Sequence, residues 1–210
     1  MYAPSLNYAQ MRPKGVESNH FAYHLEQLLK AGLVAKTERK YALTPEGMAL
    51  ADRVSHQDML VRKQAHIVTS ICVANDVGQM ILFKHAFHPY LGLSGFPQGR
   101  VHYDEHIAAA AQRELFEKTS LDDVELTLRG TAYIHATKGG VDISKLLAHV
   151  FTGTVKGTPE LTSSDKQKGT SGWGDAAKIA SSECMPGFKQ VLVLLEANQS
   201  LFFAEIDVEL

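Results

Sequence analysis

The sequence predicts an α/β (α+β) layered domain preceded by a smaller helical unit. Three observations carry that reading. Apolar residues recur at helical spacing between Phe21 and Leu29, and a strong helical run begins near Glu105. β-rich runs bounded by turn residues lie between and after these segments. A polar connector over residues 57–64 separates the two parts, giving units at 1–56 and 65–210. Strands mixed with two substantial helices fit a sheet covered by helices.

The elements follow in order. Phe21, His24, Leu25, Leu28 and Leu29 share one helical face, with Ser18 or Asn19 as cap and Gly32 as stop. Leu33–Lys36 and Lys40–Leu43 read as two strands joined by the charged turn Thr37-Glu38-Arg39. Thr44 then caps a helix with Pro45 at its first position. After the connector, 66–74 and 79–84 read as a hairpin around Asn75-Asp76-Val77-Gly78. A Gly/Pro-rich loop spans 92–99. The helix from about Glu105 to Thr119 has Asp104 as expected N-cap and alanines inside. Strands are expected near 124–135 and 146–155, and a loop over 156–172. Trp173 precedes a short helix, a longer one covers about 187–198, and 201–208 reads as a last strand.

Bulk properties bound the function. The 210 residues are 45% hydrophobic and 21% charged, as in ordinary globular proteins. A formal net charge of −2 argues against a surface coated for nucleic acid. Cys72 and Cys184 stand far apart without paired spacing, so neither a disulfide framework nor a zinc site is expected, and a reducing cytosol suits them. The start, Met1-Tyr2-Ala3-Pro4-Ser5, lacks a basic segment followed by an apolar run. The longest apolar stretches, 191–195 and 80–83, fall far short of the ~20 residues of a membrane helix. A cytoplasmic protein without a membrane partner is expected.

One segment carries chemistry. Gly99 is followed by Glu105, then after seven residues by Arg113-Glu114-Leu115-Phe116-Glu117-Lys118-Thr119-Ser120-Leu121. Positions 114, 117 and 118 of a helix span roughly 100° of its circumference, so their side chains can converge. Hard cations such as Mg²⁺ prefer carboxylate oxygen and can both neutralise a diphosphate and activate water. Ile107, Ala108, Ala111 and Leu115 form an adjoining stripe suited to a sheet. The plain alternative is a solvated helix face, with Glu114 and Lys118 an i,i+4 pair worth a few tenths of a kcal/mol.

This segment resembles the Nudix box, with Gly99, Glu105, Arg113, Glu114, Leu115, Glu117 and Leu121 in register. Gly95-Phe96-Pro97-Gln98-Gly99 resembles the loop that enters it. The resemblance implies a Nudix α/β/α sandwich with a mixed sheet. It also implies a hydrolase that cleaves a nucleoside diphosphate linked to another moiety, with Mg²⁺ or Mn²⁺ held by Glu114, Glu117 and Gly99. Arg113 and Glu105 join Glu114 and Glu117 in the catalytic set, Arg113 helping to hold a ligand glutamate. Lys84 and His85 (with His88 nearby) stand where family members place substrate contacts. Trp173 resembles a tryptophan that packs late in the fold. His102 and His106 are expected to be solvated, and His135 and His149 to be satisfied core or edge histidines.

The box departs from the pattern twice. Ser120 replaces a glycine, at a cost on the order of 1 kcal/mol in a left-handed cap. Lys118 replaces a glutamate. A unit charge ~4 Å from a divalent cation, at an effective dielectric of ~20, is repelled by at most roughly 8 kcal/mol, and a long lysine can swing into solvent to relieve it. Three outcomes follow. Activity survives weakly on Glu114 and Glu117, a carboxylate such as Asp142 or Glu183 substitutes, or Lys118 meets substrate phosphate and the domain binds without cleaving.

The N-terminal segment resembles the end of a winged-helix domain, carried by 20–25, 32–34 and Tyr41-Ala42-Leu43-Thr44-Pro45-Glu46-Gly47. The resemblance implies a reading face of Asn19, His20, Tyr23 and Gln27, with Arg39 and Lys40 at the wing tip. A nucleotide-sensing regulator that binds DNA is therefore the rival to the enzyme. Residues 1–60 hold seven Lys and Arg against six Asp and Glu, and a unit so nearly neutral predicts weak DNA binding. A small domain that makes a homodimer or buttresses the core is the remaining alternative.

Overall fold

The computed structural model describes residues 5–53, 64–163, 168–180, 183–197 and 201–210. The connector expected over 57–64 lies outside these, apart from Gln64. Among the described residues, no helix is long and apolar enough to cross a membrane.

The first unit forms in the expected order with two short additions. Strand β1 (Leu6–Asn7) and helix α1 (Tyr8–Met11) precede α2 (Ser18–Lys30). The cap of α2 is Glu17 rather than Ser18 or Asn19, and it makes no side-chain cap bond. Ser18 instead supplies its carbonyl to the Tyr8 hydroxyl at 2.7 Å. Strands β2 (Val34–Thr37) and β3 (Lys40–Leu43) pair antiparallel, and β1 adds to β3. A two-residue strand gives no periodic signal, which is why β1 was not legible.

Helix α3 (Pro45–Arg53) begins as expected: Thr44 Oγ1 accepts from the Gly47 amide at 3.0 Å and donates to Gly32 O at 2.6 Å. A Cβ at Gly47 would fall 1.9 Å from Leu33 O, so only glycine lets the helix lie against the chain entering β2. The far side of α3 is not solvent. Met48 and Ala49 pack with Ala136 and Ile143 of the larger sheet.

That sheet has the order β10-β5-β4-β9-β8-β11. It comprises β4 (His66–Asn75), β5 (Met80–His85), β8 (Thr127–Lys138), β9 (Val141–Val155), β10 (Gly169–Gly174) and β11 (Phe202–Glu209). The short β6 (Ser94–Gly95) and β7 (Gln98–Arg100) pair with β5 and β4. The pairs β4–β9 and β8–β11 are parallel and the others antiparallel, so the sheet is mixed. Its two faces hold separate cores, as period-2 alternation requires. Ile71, Val73, Ile81 and Phe151 meet Ala111 and Leu115 of α4 (Ile107–Thr119). Val68, Cys72, Ala148 and Val150 meet Phe188, Val191 and Leu192 of α5 (Phe188–Glu196). The result is the expected α/β/α layering.

The loop read over 156–172 contains the start of β10, because Gly169–Gly172 are held as strand by pairing with β5 despite a turn-like composition. On α4, Ile107 and Ala108 are exposed; the buried stripe is Ala110, Ala111, Glu114, Leu115, Lys118 and Thr119. Glu114 and Lys118 therefore lie with Leu115 on the buried face of the helix rather than beside it.

Candidate active site

The box helix is entered through a tight anchor. Asp104 does not cap α4; His106 holds that position without a side-chain bond. Glu105, just before the helix, accepts from the His102 amide at 2.6 Å and from Arg113 Nε and Nη2 at 2.9 and 2.6 Å. These charge-assisted bonds hold the Glu105 carboxyl down at about 2, Arg113 being the main cause. Arg113 also reaches Glu114 Oε1 at 2.7 Å, Glu117 Oε1 at 3.4 Å and the Arg100 carbonyl at 3.0 Å. It thus ties the helix to the strand β7 that leads into it.

Glu114 is the centre of the arrangement. Its side chain lies against the backbone of Gly99, where an added Cβ would sit 1.8 Å from Glu114 Cδ. Arg113 bonds one carboxylate oxygen and Lys118 Nζ the other. Burial alone pushes the Glu114 carboxyl up, but Lys118 and Arg113 outweigh it and the group is held below its ordinary range. Lys118 does not swing into solvent. Its side chain is 9% exposed, paired with Glu114, and its ammonium lies 5.2 Å from the Phe83 ring centroid.

A divalent cation does not fit these residues as they stand. Both oxygens of Glu114 already meet cations, and Lys118 is within the space a second positive charge would need. Among the described residues no group of three or more His, Cys, Asp or Glu side chains is placed to hold a metal. Asp142 does not substitute, being engaged by His135 at 2.6 Å and Lys145 at 3.2 Å. Glu183 is exposed and joins no such group.

Around this pair lie polar groups without partners. Residues 81, 83 and 85 of β5 share the α4 face. His85 is 7% exposed, and neither of its ring nitrogens has a hydrogen-bond partner. Burial first, then the charge of Lys118, lowers its pKa to about 4, so the ring is neutral at pH 7. Ser171, in register with Phe83, has a buried hydroxyl without a partner, as does Thr69, in register with Gly99. Buried polar atoms are nearly always satisfied, so such a group of orphans calls for a ligand or water.

The expected substrate residues divide. His85 and Lys118 come together on one face of the sheet. Lys84 points to the other face and is exposed. Thr69, Ser171 and Arg100 gave no signal in the sequence, because strand register alone places them. Ser120 adopts the left-handed cap at φ 60°, and its hydroxyl donates to Thr162 O at 2.9 Å, tying the helix end to the following loop. Trp173 packs beside the α4 core and donates to Pro159 O at 2.9 Å. His135 and His149 are partnered, by Asp142 and Asp207 and by Thr131 respectively.

The site also touches the first unit. Arg100 Nη2 donates to Asp52 O, in the last turn of α3, at 3.0 Å. His66 Nε2 lies 3.0 Å from that carbonyl and 3.2 Å from Asp52 Oδ2. The six residues proposed to face DNA, Asn19, His20, Tyr23, Gln27, Arg39 and Lys40, are all exposed.

No curated protein matches the sequence. Among solved structures, the NUDIX domain of Shewanella oneidensis NrtR complexed with ADP ribose is similar at 16% identity, TM-score 0.55, over 65% of this chain and 89% of that one. A MutT protein from Bacillus halodurans is similar at 18% identity, TM-score 0.52, over 69% and 90%. A MutT protein from Methanosarcina mazei is similar at 18% identity, TM-score 0.50, over 67% and 99%. At these identities the likeness shows the fold. The NUDIX domain model matches residues 64–186, more than half of the chain, and so the chain belongs to the NUDIX family.

Proposed function

We propose that the chain is a Nudix-fold protein that binds a nucleoside diphosphate linked to another moiety, with hydrolysis weak or lost. The observation that carries this is the buried pair of Glu114 and Lys118, which occupies the carboxylate a hydrolytic metal would use. The unpartnered His85, Ser171 and Thr69 support a ligand on the same face. ADP ribose, bound by the similar NrtR domain, belongs to the proposed class. The free, buried Cys72 and Cys184 suit a cytoplasmic protein.

The test is a panel of nucleotide sugars, dinucleotides and oxidised nucleotides, scored for binding by calorimetry and for turnover with Mg²⁺ and Mn²⁺. Binding without turnover is expected. In Lys118→Glu, which restores the missing carboxylate, turnover should appear. Equal inactivity of the native chain and this variant at saturating Mg²⁺ would defeat the idea that Lys118 is what impairs hydrolysis. Robust native turnover would make the protein an ordinary hydrolase.

A second reading extends the first: the N-terminal unit reads DNA and the Nudix pocket reports ligand to it. The exposed face of Asn19, His20, Tyr23, Gln27, Arg39 and Lys40 supports it, as does the bond from Arg100 to α3. A ligand-dependent shift of a DNA fragment, without turnover, is the expected result. A unit that instead forms a homodimer would show itself in light scattering and bind no DNA.

A further inference from the structure

We infer that this Nudix box carries its own cation: the Lys118 ammonium stands in for a divalent ion against Glu114, so the pocket is assembled without metal and binds neither Mg²⁺ nor Mn²⁺. The inference deepens the binding reading above and rests on it for its meaning, since only a ligand pocket gains from being pre-formed.

Three features of the site point this way. A carboxylate that ligates a metal needs a free oxygen lone pair facing the ion. Glu114 has Arg113 on one oxygen and Lys118 on the other, and its carboxylate fills the space that a side chain at Gly99 would take. Lys118 is itself held in place. It is one turn from Glu114 on the buried stripe of α4, and the Phe83 ring lies beneath its ammonium. The pair also joins the helix to the strand it must face, because Glu114 is the side chain that meets Gly99 of β7. A metal held by Glu114 and Gly99 would supply positive charge at this place. Here a covalently attached charge supplies it, and its local concentration does not depend on the metal content of the medium.

The experiment is a titration of the full chain with Mn²⁺, in the absence of nucleotide, read by the electron paramagnetic resonance of free Mn²⁺. The native chain should leave the signal unattenuated, and Mg²⁺ or EDTA should leave its melting temperature unchanged. Lys118→Glu should bind Mn²⁺ on the order of tenfold more tightly or better than the native chain, with a melting temperature that rises with Mg²⁺. Should that variant fail to fold, Lys118→Gln removes the charge without adding a second carboxylate and should still bind Mn²⁺ more tightly than the native chain. Native binding of Mn²⁺ as tight as in either variant would overturn the inference, as would a native melting temperature raised by Mg²⁺. The nucleotide panel is scored separately, with ADP ribose in EDTA and in Mn²⁺. Binding that requires Mn²⁺ overturns this inference while leaving the ligand class intact. Absence of nucleotide binding defeats the ligand class, while a silent Mn²⁺ titration still supports a metal-free box.

Discussion

Lys118 lies one helical turn from Glu114, its ammonium buried against the carboxylate, so that two opposite charges share a site facing the sheet. Surface pairs of this spacing contribute little. Burial changes the arithmetic, because either charge left alone would be stranded in a medium of low dielectric. Arg113 completes the local balance by bonding Glu114, Glu117 and Glu105 together.

Breaking the pair should therefore cost more than replacing it. Lys118→Met or Glu114→Gln alone is expected to destabilise the protein by about 3–5 kcal/mol, whereas the double variant should recover much of that loss. Urea unfolding of the four proteins measures the coupling. Additive losses would show that the two charges are not partners in solution.

Gly99→Ala places a methyl group inside the space of the Glu114 carboxylate. Overpacking of this kind costs about 1–3 kcal/mol, and ligand binding should fall with it, since Glu114 must leave its position. Thermal unfolding and calorimetry on the same samples separate the two effects. A variant with native stability and binding would mean that β7 shifts freely.

His85 gives the protein an acid-sensitive window. Its folded pKa of about 4 lies below the ordinary 6.5, so the neutral ring is favoured by the fold. The associated stability is complete above pH 6.5 and is lost as the pH falls from there towards 4. His85→Phe keeps edge contacts with Phe83, Phe87 and Tyr90 available and removes the titration. The native melting temperature should drop more steeply over this range than that of the variant. Parallel curves would place the acid sensitivity elsewhere.

Arg100→Ala should loosen α3 from the sheet without disturbing the box helix. Its guanidinium donates to the Asp52 carbonyl, while the Arg100 carbonyl, which Arg113 uses, is retained. A loss of about 1 kcal/mol at the junction corresponds to roughly fivefold faster amide exchange in α3. Exchange in α4 should be unchanged. Faster exchange in both helices would show that the junction and the box open as one unit.

Much of this was readable without coordinates, for a local reason. Helix α4, the β4–β5 hairpin, the Thr44 cap and the register from Gly99 to Leu121 depend on residues a few positions apart, and their spacing survives in the sequence. The same holds for the stop at Gly32, whereas the packing of Trp173 was implied only by the family resemblance. What the sequence by itself determined is thus the family, the layering and the presence of a cation where a carboxylate belongs. Only the tertiary structure decided which way that cation faces. A helix can bury either of two neighbouring stripes, and the choice of Ala110, Glu114 and Lys118 over Ile107 and Ala108 was made by contact with strands distant in the chain. Register across β5 and β10 likewise brought Ser171 beside Phe83, and docking of α3 on Ala136 and Ile143 joined the first unit to the larger sheet. Those placements follow from long-range pairing and burial, which leave no periodic trace in any one segment.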